Sequence, residues 1–368
     1  MKAADREGLS PSQIRNFRKH LADWYRLHAR ILPWRGAHDP YRVWVSEIML
    51  QQTRVAAVID HYERFMRLFP TLVSLALAPE ADVLAAWSGL GYYRRARMLH
   101  KAAQFVTQEL SAKLPTDSVG LRTLPGIGVY TSAAVASICF GERIAVVDGN
   151  VERVLLRITG RPEVASAAAK NFIHHLASDL VPAKRLNEKG NAAGDHNQAM
   201  MELGATICLP RGPLCLHCPV YGLCRTRGEH LTPPRPRQRS RPAAYLLATR
   251  KRRVVTEVLL ERRADDASLM PGMLELPPLP LDAVEGREPI LRLRHSITNT
   301  NYYVGIYAQT GSTSGALRRA VPAAKADLVW HPITRIQELP VTGLTRKVLA
   351  RLRLDSVIGP ETPEQRRA

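Results

Sequence analysis

Two carboxylic acids and a group of four thiols stand where chemistry could use them in this chain of 368 residues. The first acid is Asp148. Leu124-Pro125-Gly126-Ile127-Gly128 reads as a tight turn whose two glycines are free to take positive φ, followed by a helix of small and apolar residues over Val129 to Phe140. Backbone N–H groups at such a turn and at the helix start suit a phosphate. Gly141 stops that helix, and Ile144 to Val147 lead to Asp148 where the next helix, Val151 to Ile158, would begin. A carboxylate there accepts helix N–H bonds at the positive end of the helix dipole, which favours its charged form. An ordinary turn followed by an ordinary N-cap would have the same sequence.

The second acid is Glu47, three and four residues after Trp44 and Val43, on a face that Leu50 and Gln51 continue. Burial on an apolar face raises a carboxyl pKa and would make Glu47 a general acid near neutral pH. A solvated glutamate at the edge of a core helix has the same spacing. Cys208-x6-Cys215-x2-Cys218-x5-Cys224 places four thiols in one loop, able to hold Zn²⁺ or a [4Fe-4S] cluster. Zinc ribbons usually show two close pairs, and only the middle pair is close here. His217 reads as a loop residue, Cys139 as a buried small side chain, and Arg211, Arg225 and Arg227 as candidates for phosphate contacts.

These groups must be positioned by helices. Ser10 to Ala29, Pro40 to Thr53, Val55 to Phe69, Thr71 to Trp87, Arg94 to Leu110, Ala165 to Leu180 and His196 to Ile207 carry a helical period. Gly89-Leu90-Gly91-Tyr92-Tyr93-Arg94-Arg95 suits a loop that stacks on bases, or an ordinary loop with anchoring tyrosines. His230 to Ala243 is a Pro- and Arg-rich linker, beyond which Tyr245 to Ala248, Val254 to Leu260 and Tyr302 to Gln309 read as strands and Val341 onward as a helix. The expected domains are a helical domain over 1–229, the linker over 230–243, an α+β domain over 244–354 and a flexible tail over 355–368.

Composition bounds the partner. Lys plus Arg exceeds Asp plus Glu by 52 − 33 = 19, with a pI near 10.2, which points to a polyanion and by default to nucleic acid. The sequence shows no membrane-spanning run, lipid-anchor motif or signal-peptide core, so an intracellular, cytoplasmic protein is expected. Four clustered cysteines out of five argue for a metal site rather than disulfides.

Pro33 to Arg35 (PWR), Ser46 to Thr53 (SEIMLQQT), Gly89 to Ala96 (GLGYYRRA), Leu124 to Thr131 (LPGIGVYT) and Val147 to Val151 (VDGNV), together with the cysteine spacing, resemble the adenine DNA glycosylases of the MutY kind. These belong to the helix-hairpin-helix, endonuclease III superfamily. The resemblance implies a mainly α helix-hairpin-helix glycosylase fold with an Fe-S cluster loop, and a C-terminal α+β Nudix-like domain. It implies hydrolysis of the N-glycosidic bond of adenine opposite 8-oxoguanine or guanine, by base flipping, in double-stranded DNA. By this similarity Glu47 protonates adenine at N7 and Asp148 stabilises the oxocarbenium-like sugar. Asn150 and Tyr130 orient the sugar and Asp148. Trp34, Arg35, Leu50, Val55 and Gln198 line the adenine pocket, and Gln52, Thr53, Leu90 and Tyr92 enter the duplex. Gly126, Gly128 and Thr131 form the phosphate-binding hairpin, while Cys208, Cys215, Cys218 and Cys224 ligate a [4Fe-4S] cluster.

Bifunctional relatives place a Schiff-base lysine where this chain has Tyr130, which implies a monofunctional enzyme. Some adenine glycosylases carry a lysine where this chain has Glu152. The Nudix-like likeness rests on Leu269 to Pro277 (LMPGMLELP) and Arg294 to Val304 (RHSITNTNYYV), without a Nudix catalytic box. Thr298 and Asn299 stand where many relatives read Ser-His, so Thr298 keeps the hydroxyl expected to meet 8-oxoguanine. A monomer, nucleoid-associated in a bacterium, is expected.

Overall fold

The structure, a computed structural model, describes residues 8–36, 39–163, 166–183, 186–187, 190–230, 238–309 and 327–354. The expected tail over 355–368 and half of the expected linker, 231–237, lie outside these. The chain divides into two compact units, one formed by residues 1–76 and 101–235, the other by 77–100 and 236–368.

In chain order the helices are α1 (Pro11–His28), α2 (Pro40–Leu50), α3 (Val55–Leu68), α4 (Leu72–Leu77), α5 (Glu80–Trp87), α6 (Arg94–Glu109), α7 (Ser118–Leu121), α8 (Val129–Phe140), α9 (Gly149–Thr159), α10 (Ala167–Leu180), α11 (Ala192–Thr206) and α12 (Gly343–Arg351). The single helix expected over Thr71 to Trp87 is two, because Pro79 cannot continue the first and instead stands at the N-cap of the second. α2 ends at Leu50, three residues before its expected end, and Gln52 follows with φ +55°. No helix among the described residues is long and apolar enough to cross a membrane.

Local chemistry explains the elements that matter for the first unit. Asp39 caps α2 through Tyr41 N and Arg42 N, with Pro40 preset for the first turn. α2 is then buried from Val43 to Met49, and Glu47 is buried with it. α8 is buried from Thr131 to Ile138, and its small residues let α2, α7 and α11 approach from three directions. α11 packs close on α9 at Gly204, where an added Cβ would stand 2.6 Å from Asn150 Cβ and 3.0 Å from its backbone, so glycine is required. Phe17, Leu21, Val154, Leu155, Ile173, Leu176, Met200 and Leu203 form the core that joins α1, α9, α10 and α11.

The second unit holds ten residues or fewer per strand in two sheets. Apart from a two-residue pair in the first unit, β1 (Leu186–Asn187) and β2 (Gly190–Asn191), the strands are β3 (Arg239–Leu247), β4 (Thr249–Arg252), β5 (Val255–Arg262), β6 (Leu274–Glu275), β7 (Pro278–Leu279), β8 (Leu291–Ile297), β9 (Thr300–Ala308) and β10 (Asp327–Pro332). One sheet runs β10-β5-β4 with β6 also on β5; the other runs β7-β3-β9-β8, with β3 and β9 parallel. Alternation along β5 feeds two cores: Val258 and Leu260 join α12, whereas Leu259 joins β3 residues Ala244 and Leu246. The linker expected to reach Ala243 is corrected here: Arg239 to Pro242 are already strand, paired in register with Thr300 to Tyr303. Proline is tolerated in that strand near its exposed end.

Candidate active site

A cavity of about 720 Å³ opens in the first unit between α2, the start of α8, the start of α9 and α11. Glu47 and Tyr130, Asp148 and Asn150, and Trp34, Arg35, Leu50, Gln52, Thr53, Val55 and Gln198 all line it. Eleven residues singled out on α2, α8, α9, α11 and their flanks are therefore brought to one space.

Glu47 is 5% exposed. Burial pushes its carboxyl up to about 7, and the charge of Asp148 adds to the rise, while a hydrogen bond from Tyr130 and the Arg35 cation work against it. Tyr130 donates from its hydroxyl to Glu47 Oε2 at 2.8 Å, and its oxygen lies 3.2 Å from Met201 Sδ. Burial, then the neighbouring Glu47 and Asp148, hold the Tyr130 phenol well above its ordinary pKa, so it stays a neutral donor.

Asp148 is the N-cap of α9. Its Oδ1 accepts from Val151 N at 2.8 Å and its Oδ2 from Asn150 Nδ2 at 2.9 Å. Asn150 is fixed from its other end by Arg153 Nη2 at 2.8 Å, and the same guanidinium donates to Gly204 O at 2.7 Å and Cys208 O at 2.8 Å. One carboxyl that can carry a proton and one held as a hydrogen-bond acceptor thus face the same cavity.

Among the lining groups that the sequence did not single out are Glu202, Arg30 and Met201. Glu202 on α11 is 1% exposed and accepts from Arg30 Nε at 2.7 Å, Arg30 Nη2 at 2.8 Å and Arg35 Nη2 at 2.6 Å. Burial would raise its carboxyl, but the donors from Arg30 and Arg35 outweigh it and hold the group at about 2. Arg35 also lies over the Tyr25 ring, 5.4 Å from its centroid. Met201, beside Tyr130, is the third. Glu202 lies four residues, about one helical turn, after the predicted lining residue Gln198 on α11, which would have placed it at the cavity; its partners Arg30 and Arg35 lie too far away in sequence to be read.

The hairpin differs from expectation. Gly126 has φ +76°, but Gly128 is extended backbone at φ −91° and ψ −178°, where it serves as N-cap to α8. No side chain caps that helix start, and an added Cβ on Gly128 would meet nothing within 4 Å. Thr131, grouped with these glycines in the expected phosphate-binding hairpin, is 2% exposed and its Oγ1 accepts from Gln51 Nε2 at 3.2 Å. Its side chain belongs to the interior because helix α8 turns it toward α2.

Residues 45–180, which span Glu47, the hairpin and Asp148, match the family described as HhH-GPD superfamily base excision DNA repair protein. The chain carries an HhH-GPD domain. It is similar to proteins named adenine DNA glycosylase: one from Rattus norvegicus, 46% identical over 223 residues, covers 58% of this chain and 42% of that protein. Another, from Mycobacterium tuberculosis, is 40% identical over 209 residues, covering 55% of this chain and 66% of the relative. The chain thus spans about four-tenths of the rat protein's length. A solved thermostable thymine-DNA glycosylase, 28% identical, superposes on 59% of this chain and 97% of its own, with a TM-score of 0.51.

Just beyond the matched residues of the HhH-GPD domain, Cys208, Cys215, Cys218 and Cys224 are free and half-buried, spread over two short 3₁₀ turns. Among the described residues no group of three or more His, Cys, Asp or Glu is disposed to hold one metal ion. Leu90, Tyr92 and Thr298 belong to the second unit. Leu90 is buried at 7% exposure, and Tyr92 is 48% exposed with φ +49°. Thr298 is exposed at the β8–β9 turn, where Ile297 pairs with Thr300.

Proposed function

We propose that the protein is a monofunctional DNA glycosylase that removes adenine from A:8-oxoguanine and A:G mispairs in double-stranded DNA. The observation that carries this reading is Glu47, buried and raised to about 7, facing the same cavity as the N-capping Asp148. Adenine swung out of the duplex enters the cavity and takes the Glu47 proton at N7. The bond from the sugar C1′ to N9 breaks with its electron pair going to the base, and the Asp148 carboxylate stabilises the cation left on the sugar. Water adds at C1′ and loses a proton, giving the abasic site and neutral adenine. Tyr130 supplies no amine for a Schiff base, which supports hydrolysis without strand cleavage. The name adenine DNA glycosylase on relatives at 35% identity or more supports the choice of base.

Gly126 and Gly128, with the uncapped start of α8, would bind a backbone phosphate through N–H groups. Gln52, Thr53, Leu90 and Tyr92 would meet the duplex, and the strand-rich C-terminal unit, read as Nudix-like, would contribute the preference for 8-oxoguanine through Thr298. The protein would work as a monomer on DNA inside the cell.

Cys208, Cys215, Cys218 and Cys224 would hold a [4Fe-4S] cluster. The donor set fits: four half-buried thiols in one loop supply the one thiolate that each of a cluster's four irons takes. Arg157 supports it. This arginine is 3% exposed, donates to Leu209 O and Pro210 O, lies 3.4 Å from Cys208 Sγ, and makes no ion pair among the described residues. A buried cation of this kind calls for a nearby anion, which thiolate ligands supply. When bound, the cluster would act as an anionic cross-link of the loop. Iron and sulfide analysis of anaerobically purified protein should give about four irons per chain; stoichiometric zinc would contradict the assignment. Alkali treatment of an A:8-oxoguanine duplex after incubation with the protein should nick the adenine strand. No nick with alkali would refute excision, and a nick without alkali would make the enzyme a lyase.

A further inference from the structure

Residues 77–100 belong to the same compact unit as the C-terminal sheets. Within them, Gly89 at φ +108°, Gly91 at φ +70° and Tyr92 at φ +49° put three left-handed residues in one short loop. Tyrosine is strained there and keeps such a conformation only where its surroundings over-determine it. Part of that restraint is local. Trp87 Nε1 donates to Gly91 O at 3.3 Å, and Arg95 Nη2 reaches Gly91 O at 3.2 Å and Leu90 O at 3.4 Å. The Arg95 guanidinium lies over both the Trp87 and the Tyr92 rings, 5.6 and 5.5 Å from their centroids.

The rest comes from 174 to 258 positions away in sequence, separations at which only folded contacts act. Ser88, 3% exposed, donates from Oγ to Val341 O and accepts from Arg346 Nε. Tyr93, 5% exposed, donates to the same Val341 carbonyl at 3.3 Å. Arg97 Nη2 donates to Pro271 O at 2.7 Å. The receiving segment is itself held: Leu274 N donates to Pro340 O and Thr342 N to Leu274 O, both at 2.9 Å, and Arg346 on α12 also reaches Ile336 O and Leu339 O at 3.4 Å. Both ends of the loop are tied to the C-terminal segment, and Tyr92 stands exposed between them.

We propose that Ser88 and Arg346 are positioning residues through which the C-terminal segment sets the conformation of the Tyr92 loop, so that the substrate preference of the enzyme depends on α12 by way of Tyr92. The effect on preference rests on the proposed adenine excision; the effect on the loop does not. Two measurements on the full chain separate them. Amide hydrogen exchange at Gly89, Leu90 and Gly91, without DNA, should quicken at least tenfold in Ser88→Ala and in Arg346→Met while the amides of α8 stay as they are. Unchanged loop exchange in both variants would overturn the proposal. Single-turnover excision should show the ratio of rates on A:8-oxoguanine over A:G falling several-fold in Arg346→Met, and that fall should vanish in a Tyr92→Ala background, since both changes act through one side chain. An equal fall in both backgrounds would also overturn it, because a general loss of stability adds independently. Ser88→Ala, the smaller change, carries both measurements should Arg346→Met fold poorly. Wild-type protein that excises from neither duplex would sink the proposed function, and the exchange result would still decide the loop.

Discussion

Two buried glutamates line one cavity and are driven in opposite directions. Glu47 sits at about 7 and Glu202 at about 2, although burial pushes both upward. The difference lies in their partners. Glu202 accepts from two guanidinium groups, which stabilise its charge, whereas Glu47 accepts from one neutral phenol and faces a second carboxylate. Burial therefore leaves an acid here where no guanidinium donates directly to the carboxyl, and Glu202 with its arginines is a scaffold that holds Arg35 and, next to it in sequence, Trp34.

Removing the proton donor should have the largest effect. Glu47→Gln keeps the shape and should abolish single-turnover adenine excision while leaving lesion-duplex binding within a few-fold; excision near the wild-type rate would reduce Glu47 to a core residue. Asp148→Asn should lower the rate by at least about a hundredfold, the scale of losing a charge aimed at a developing cation, whereas a parental rate would leave Asp148 a helix cap and nothing more.

The scaffold should fail differently. Glu202→Gln leaves two cations beside a neutral amide and should cost on the order of 2 kcal/mol in urea unfolding, less than a fully buried pair because the Arg30 side chain is 37% exposed. Its pH dependence has a definite sign. Glu202 is depressed from its ordinary value to about 2, so its contribution is complete above about 4.5 and is lost as pH falls toward 2. For Glu47 the sign reverses: its raised value means that the folded state loses stability as pH rises from about 4.5 through about 7. Glu47→Gln should therefore melt higher than wild type at pH 8 and show no such gain at pH 4.5. Equal shifts at both pH values would mean that Glu47 is not titrating in the fold.

How much of this could be read from the chain follows from distance along it. Asp148 capping α9 and Pro40 opening α2 are local patterns visible within a few residues, whereas the burial of Glu47 is left open by its spacing, which a solvated glutamate at the edge of a core helix shares. Arg30 meeting Glu202 spans 172 positions and leaves no local mark. Thr131 follows the hairpin glycines in sequence, and the rotation of α8 turns its side chain to Gln51, a partner 80 positions away that leaves no local mark. The packing of residues 77–100 with the C-terminal sheets was likewise hidden, since their helical period is the same whichever unit they join. It also means that a chain cut near Arg241 would lose the partners of Ser88, Tyr93 and Arg97. Lesion preference is better tested by Thr298→Ala in the full chain, the smallest effect expected here: a fall of up to about tenfold in the rate ratio of A:8-oxoguanine over A:G, the scale of one hydrogen bond. An unchanged ratio would remove Thr298 from lesion reading.

The contrast between the two glutamates is tested most directly by titrating them. With ¹³C-labelled glutamate carboxyls, the spectrum of the full chain should contain one resonance titrating near pH 7 that disappears in Glu47→Gln, and one absent from Glu202→Gln that stays ionised down to about pH 2. A Glu47 carboxyl titrating near 4.5 would leave the cavity without its acid at neutral pH, and the account of adenine excision by proton transfer from Glu47 would be contradicted.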